Sequence, residues 1–315
     1  MTPIKHVVII FKENHTFDNY FGTFPGANGV SLPHASNPPA FDPPHDHASW
    51  VNRAATAVKQ QYKESDIPAY FSYARQYTLC DKFYSDVAGP SAPNHLMLVT
   101  ADSPIVNNIS LSDTTQPLPP YKLPSLPKQL EKKHLDWRNY GGLVFFTISD
   151  LILSTKNRLT SQFVTDATRG KLPEVSWVFP RSEDSEHPPS DIKQGMQWTV
   201  DQINAVVQGG LWDSTAIFIT WDDYGGWYDH VTPPNVEQWK DGTQFRFGSR
   251  VGCMVMSPYA KKGYISKVQH SFVSIVAFCE EIFGLPSLNE RTQTSDNMLD
   301  CFDFNQTPLP PPQLP

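Results

Sequence analysis

Apolar and polar positions fall into short blocks that alternate along the chain. Val7-Val8-Ile9-Ile10-Phe11 is an unbroken, β-branched apolar run, the pattern of a strand buried on both faces inside an α/β sheet. Residues 175–179, ended by Pro180, repeat it, as do residues 216–220 and 251–257, the last leaving through Pro258-Tyr259-Ala260. Trp137 opens a further strand-like region that Val144-Phe145-Phe146 is expected to continue. Between these blocks the spacing turns helical. Helical character is expected over 67–77, from 96 to 101, over 191–207 and over 272–283. In the third of these Ile192, Met196, Val200, Ile203 and Val207 share one face. The fourth is amphipathic and stopped by Gly284 and Pro286. Alternating strand and helix signals predict an α/β fold, a mostly parallel central sheet covered by helices on both faces.

Three stretches lack either period. Residues 25–50 are rich in Pro, His and Asn, and a loop of that length in a compact domain is often functional. Residues 103–128 are expected to form a surface excursion. Residues 307–315 form a Pro-rich, extended tail after a single domain spanning 1–306.

Composition narrows the function. The 315 residues carry a net charge of -7 with 18% charged side chains, which argues against nucleic acid as a partner, since that needs a basic face. With 39% hydrophobic residues the chain can build a core despite its 29 prolines. No apolar stretch approaches the ~20 residues of a membrane span. No signal-peptide pattern precedes the first strand, so Met1 is read as either a cytoplasmic start or a start added to a mature secreted chain. Cys80, Cys253, Cys279 and Cys301 show no CxxC spacing, which disfavours a zinc knuckle. Cys253 and Cys279, in apolar surroundings, are expected to be buried thiols.

Chemistry concentrates at strand ends. The first and third apolar runs each finish in a carboxylate-rich turn, Glu13-Asn14 and Asp222-Asp223, the latter followed by Gly225-Gly226. Ligands of open α/β sheets gather at the carboxyl ends of strands, so these four are expected to converge as oxygen ligands of one divalent cation. The competing reading is that they are turn residues. Ser91 lies between Pro90 and Pro93 ahead of a helix, where free N–H groups suit a phosphate; it is read as a nucleophile or, failing that, a helix cap. No GxSxG surrounds it, which disfavours an α/β-hydrolase esterase. His187, before Pro188-Pro189, suits a general acid that protonates a leaving oxygen. His45 and His47 are loop histidines or metal ligands, and His230 is placed to order the Asp222-Asp223 turn. His15 and His95 receive no role. Trp137, Tyr140, Trp177 and Trp227 are either core and pocket wall or an aromatic box for choline.

The stretch Ile10-Phe11-Lys12-Glu13-Asn14-His15-Thr16-Phe17-Asp18-Asn19-Tyr20-Phe21-Gly22 resembles the opening motif of the bacterial phosphoesterase family, which holds the non-haemolytic phospholipases C and the acid phosphatase A group. The resemblance continues through Gly89-Pro90-Ser91-Ala92-Pro93-Asn94, Glu186-His187-Pro188-Pro189, residues 222–231 and 257–260, and ends in Glu280-Glu281-Ile282-Phe283-Gly284-Leu285-Pro286. It implies an alkaline-phosphatase-like fold with a metal held by Glu13, Asn14, Asp222, Asp223 and the nucleophile Ser91. It implies a site role for His187 and for an early-loop histidine, His47 or His45. Family members often carry Asp-Glu at 222–223 and Gly-Pro-Thr at the nucleophile. The longer phospholipases C of the family have further C-terminal modules. The resemblance implies a secreted or periplasmic chain if Met1 is an added start, and a cytoplasmic one otherwise.

The expected function is therefore metal-dependent hydrolysis of a small phosphate ester or phospholipid headgroup, through a phosphoseryl intermediate. Two readings compete: an inert metal- or anion-binding protein on the same scaffold, and a phosphonate or sulfate-ester hydrolase. Against the last, sulfatases use Cys/Ser-x-Pro-x-Arg, and here His95 stands in place of that Arg.

Overall fold

A computed structural model describes residues 2–313. An eight-stranded sheet runs through the molecule in the order Tyr264–Ser266, Thr78–Cys80, Cys253–Met256, Thr215–Trp221, His6–Lys12, Val175–Val178, Trp137–Tyr140, Asn157–Arg158. Only Cys253–Met256 runs antiparallel to its neighbours. The central pair explains the apolar runs. Thr215–Trp221 is buried at every position and His6–Lys12 at all but the first, because helices cover both sheet faces.

The expected helices are present at Pro68–Gln76, Ser91–Thr100, Ile192–Gln208 and Phe272–Phe283. Asp191 caps the third by accepting from the Lys193 N–H, which sets its start. Phe272–Phe283 buries every side chain from Phe272 to Glu280, so it is a core helix with one wet end. One core cluster runs from Ile4 to Phe302.

Two expectations are corrected. The region opened by Trp137 does not continue as a strand: Leu143–Thr147 is a 3₁₀ turn. Gly141, at φ +91°, and Gly142 turn the chain there, and the Asn139 side chain brackets the bend by accepting from the Gly142 N–H and donating to its C=O. A Cβ on Gly142 would meet the Phe179 ring at 2.4 Å, so only glycine fits. The helix expected from residue 96 starts at Ser91, since Pro93 is tolerated in a first turn. Trp137, Tyr140 and Trp177 take the core position and not that of a choline box: all three are fully buried, and Trp137 stacks on Phe145 with centroids 5.6 Å apart.

The tail is docked on the domain. Leu309 and Pro310 accept hydrogen bonds from the Trp212 indole and the Tyr77 hydroxyl. Its last two residues, 314 and 315, lie outside the described residues.

Candidate active site

Lys12 and Trp221 are direct neighbours in the parallel register of the two central strands. Glu13-Asn14 and Asp222-Asp223 therefore leave the sheet side by side. Asp222 Oδ1 accepts the Asn14 N–H at 3.0 Å and its own neighbour's N–H, that of Asp223, at 2.8 Å. Asn14 adopts φ +66°, an uncommon left-handed turn for a residue with a side chain. Gly225, at φ +56°, packs so close that a Cβ would stand 2.4 Å from the Asn14 carbonyl oxygen.

Ser91 is the first residue of its helix, and Pro90 caps it. The hydroxyl is not used as a cap: Ser91 Oγ donates to Asp223 Oδ2 at 3.3 Å. Asn94 fastens the turn, accepting from the Val87 N–H and donating to the carbonyls of Val87, Gly89 and Pro90. One helical turn on, His95 Nε2 lies 3.1 Å from Asp222 Oδ2, and its ring packs edge-on against Phe11 at 4.9 Å. Donor atoms of Glu13, His95 and Asp222 all lie within 4.8 Å of one another.

His95 was given no role from the sequence. The signal was its i, i+4 spacing from Ser91 on one helix face, hidden while the helix was started at residue 96.

Burial and the nearby Asp222 carboxylate push the Glu13 carboxyl up from its ordinary range. Burial and Asp222 likewise hold Asp223 well above it. Burial alone would raise Asp222 too, but hydrogen bonding and charge from His95, with the Asn14 N–H, outweigh it and keep that carboxyl low. Three carboxylates crowded out of water cannot all ionise without a cation. Asn14 Oδ1 is buried and has no donor among the described residues. An orphaned amide oxygen beside three carboxylates and an imidazole suits a divalent cation bound by oxygen and nitrogen.

The histidines divide. His45 Nε2 lies 3.2 Å from Asn14 Nδ2, and its ring meets that of His187 at 5.7 Å between centroids. His187 Nδ1 is taken up by the Pro188 carbonyl at 2.7 Å. His47 is not brought to this group. It is buried, with its ring nitrogens 2.5 Å from the Ala88 carbonyl and 2.7 Å from Thr243 Oγ1. His230 does not order the Asp222-Asp223 turn either. It lies 2.7 Å from Asp18 Oδ2, within a buried Asp18–Arg250–Asp229 network. Trp227 is buried against His15, centroids 6.0 Å apart.

Behind the site stands a second layer with no sequence signal. Glu186 is fully buried and left-handed at φ +74°. Its carboxylate lies 3.2 Å from Lys12 Nζ and accepts from the Tyr20 and Tyr70 hydroxyls and the Trp221 indole. Lys12 also donates to the carbonyls of Asp184 and Gly195.

A cavity of about 200 Å³ opens beside Ser91, walled by His95, Leu96, Ile109, Leu143 and Val144. Leu143 is 78% exposed at its rim. A larger cavity, about 820 Å³, lies elsewhere, around Arg246, His270 and Asp296. The chemistry points to the smaller one.

Comparison with known proteins agrees with this picture. The model of the Phosphoesterase family matches residues 4–40 and 40–286. Phospholipase C B of Mycobacterium tuberculosis is 22% identical over 98% of the chain and 80% of its own length. The non-hemolytic phospholipase C of Pseudomonas aeruginosa is 26% identical over all of the chain but 59% of its own length. Among solved structures, human ectonucleotide pyrophosphatase/phosphodiesterase 5 superposes with a TM-score of 0.57 at 9% identity, over 95% of this chain and 100% of that one. The lipoteichoic acid synthase LtaP of Listeria monocytogenes gives 0.57 at 10% identity, over 93% and 76%. The shared fold is the alkaline-phosphatase-like one. No helix among the described residues is long and apolar enough to cross a membrane.

Proposed function

The chain belongs to the Phosphoesterase family and is a phosphoester hydrolase, and we propose that it cleaves phosphodiesters whose leaving alcohol is apolar, with Ser91 as the nucleophile. One observation carries this reading: Ser91 Oγ hydrogen-bonds Asp223 inside a buried carboxylate cluster and borders an apolar cavity.

Glu13, Asn14, Asp222, Asp223 and Ser91, joined by His95, are the residues that would hold one divalent cation. Bound there, the cation would lower the pKa of the attacking hydroxyl and neutralise charge on the phosphoryl oxygens. Asp223 Oδ2 accepts the Ser91 hydroxyl proton and so orients Oγ for attack. Bond formation from Oγ to phosphorus accompanies loss of the alcohol oxygen, and water then hydrolyses the phosphoserine. His187 protonates the leaving oxygen. Nδ1–H donates to the Pro188 carbonyl, so Nε2 is the nitrogen left to face the leaving oxygen, and it delivers its proton from the imidazolium form. His45 takes the second histidine position that resemblance left open between His45 and His47, because it reaches Asn14. Ile109, Leu143 and Val144 receive the apolar part of the alcohol, and the phospholipase C relatives favour a glycerolipid.

The test is a set of phosphodiesters with short-chain, long-chain and p-nitrophenyl leaving groups, assayed with wild type, Ser91→Ala and His187→Asn. Ser91→Ala is expected to be inactive on all. His187→Asn is expected to lose ~10²–10⁴-fold on alkyl esters but little on p-nitrophenyl esters, whose alcohol departs unprotonated. Residual turnover by folded Ser91→Ala would remove the nucleophile assignment. Equal losses by His187→Asn on both classes would remove the acid.

A further inference from the structure

Outside the candidate active site, three buried side chains with no part in the hydrolysis converge. Cys80 ends the Thr78–Cys80 strand, His270 opens the two-residue strand His270–Ser271, and Cys301 closes the 3₁₀ turn Leu299–Cys301. All three are fully buried, and their sulfur and nitrogen donors lie within 4.8 Å of one another.

The spacing is specific. Cys80 Sγ and Cys301 Sγ are 3.7 Å apart. A disulfide needs ~2.0 Å. Two thiolates each ~2.3 Å from one tetrahedral zinc ion stand ~3.8 Å apart. Asp300 Oδ1 stands beside two of them, 3.6 Å from Cys301 Sγ and 3.2 Å from His270 Nε2, but outside their group, whose donors all lie within 4.8 Å of one another. Metal-bound histidines ordinarily turn their other ring nitrogen toward a carboxylate. His270 Nδ1 lies 2.8 Å from Asp296 Oδ1, at ion-pair distance though out of line for a hydrogen bond. A route in exists, because His270 and Asp296 also line the 820 Å³ cavity.

We propose that Cys80, Cys301 and His270 form a site for a borderline-soft divalent cation of the zinc class, with Asp300 beside it. Binding replaces the two thiol protons and the proton on His270 Nε2, and so displaces the contact of Nε2 with Ser266 Oγ at 3.0 Å. The ion would tie the second strand of the sheet to a turn more than two hundred residues away in sequence.

The proposed hydrolytic centre offers only oxygen and nitrogen donors, so sulfur chemistry separates the two sites. The full chain, stripped by chelator under reducing conditions, is titrated with Co²⁺. The expected result is a near-ultraviolet thiolate-to-cobalt charge-transfer band that saturates with a single equivalent and is erased by Zn²⁺. Cys301→Ser should abolish it, while Cys279→Ser, on the core helix, should keep it. A wild-type protein that binds cobalt without this band overturns the proposal, whether or not Cys301→Ser folds. So does an intact mass two hydrogens light, which would make Cys80 and Cys301 a redox pair instead.

Discussion

The tightest contact in the candidate active site predicts what one methyl group would do. Gly225 and Gly242 both adopt left-handed backbone, at φ +56° and +87°. A Cβ on Gly242 would meet nothing within 4 Å, whereas one on Gly225 would meet the Asn14 carbonyl oxygen at 2.4 Å, its Cβ at 2.6 Å and its carbonyl carbon at 2.8 Å. Gly242→Ala therefore carries conformational strain alone, ~1–2 kcal/mol. Gly225→Ala carries the same strain plus an overpacking cost of ~1–3 kcal/mol. To restore a contact of ~3.5 Å the Asn14 carbonyl has to retreat by about 1 Å, and it takes the side chains of Glu13 and Asn14 with it. A misplacement of that size at a reacting centre costs ~10²-fold in rate. Urea unfolding of the two variants, with unchanged m, gives the difference in stability, and turnover of a p-nitrophenyl ester gives the difference in rate. Gly242→Ala should lose stability only; Gly225→Ala should lose more stability and most of its kcat. Equal destabilisation of the two, or a folded Gly225→Ala enzyme with wild-type kcat, would refute the argument.

Two further outcomes test the packing behind the site. Lys12→Met strands the buried Glu186 carboxylate and should cost ~3–5 kcal/mol, a large part of the ~5–15 kcal/mol of a typical domain. Adding Glu186→Gln should recover some of that loss in a double-mutant cycle read by urea midpoints, and strict additivity would show the pair to be uncoupled. Elsewhere, burial pushes the Glu280 carboxyl up from its ordinary value while it accepts the Leu288 N–H at 2.7 Å. A raised folded pKa gives stability that is full below the unfolded value and is lost as pH rises through the folded one. Glu280→Gln should thus melt higher than wild type near pH 7, and the gap should close below pH ~4.3, where the glutamate is protonated in both states. A gap that does not vary with pH would contradict this.

The central strands were legible because burial on both faces demands uninterrupted β-branched runs, and the paired acids because they follow those runs directly. Ser91 was legible through its prolines. What failed to show depended on tertiary placement. His95 lay hidden behind a helix start placed five residues late. The long loop has no period, so nothing in it ranked His45 above His47; only the distance to Asn14 does that. Glu186 reads as one more charge in a polar turn, and nothing local says that the turn folds inward.

That inward fold has a mechanical consequence. Lys12, Trp221 and Glu186 immediately precede Glu13, Asp222 and His187 in the chain, and all three meet at the Glu186 carboxylate. Part of the site is thus jigged from one residue upstream: Glu13, Asp222 and His187 each stand one residue from a common anchor. Its members cannot drift singly. Transplanting this chemistry to another scaffold would mean moving dipeptides, Lys12-Glu13, Trp221-Asp222 and Glu186-His187, because a carboxylate or histidine grafted alone would leave its alignment behind.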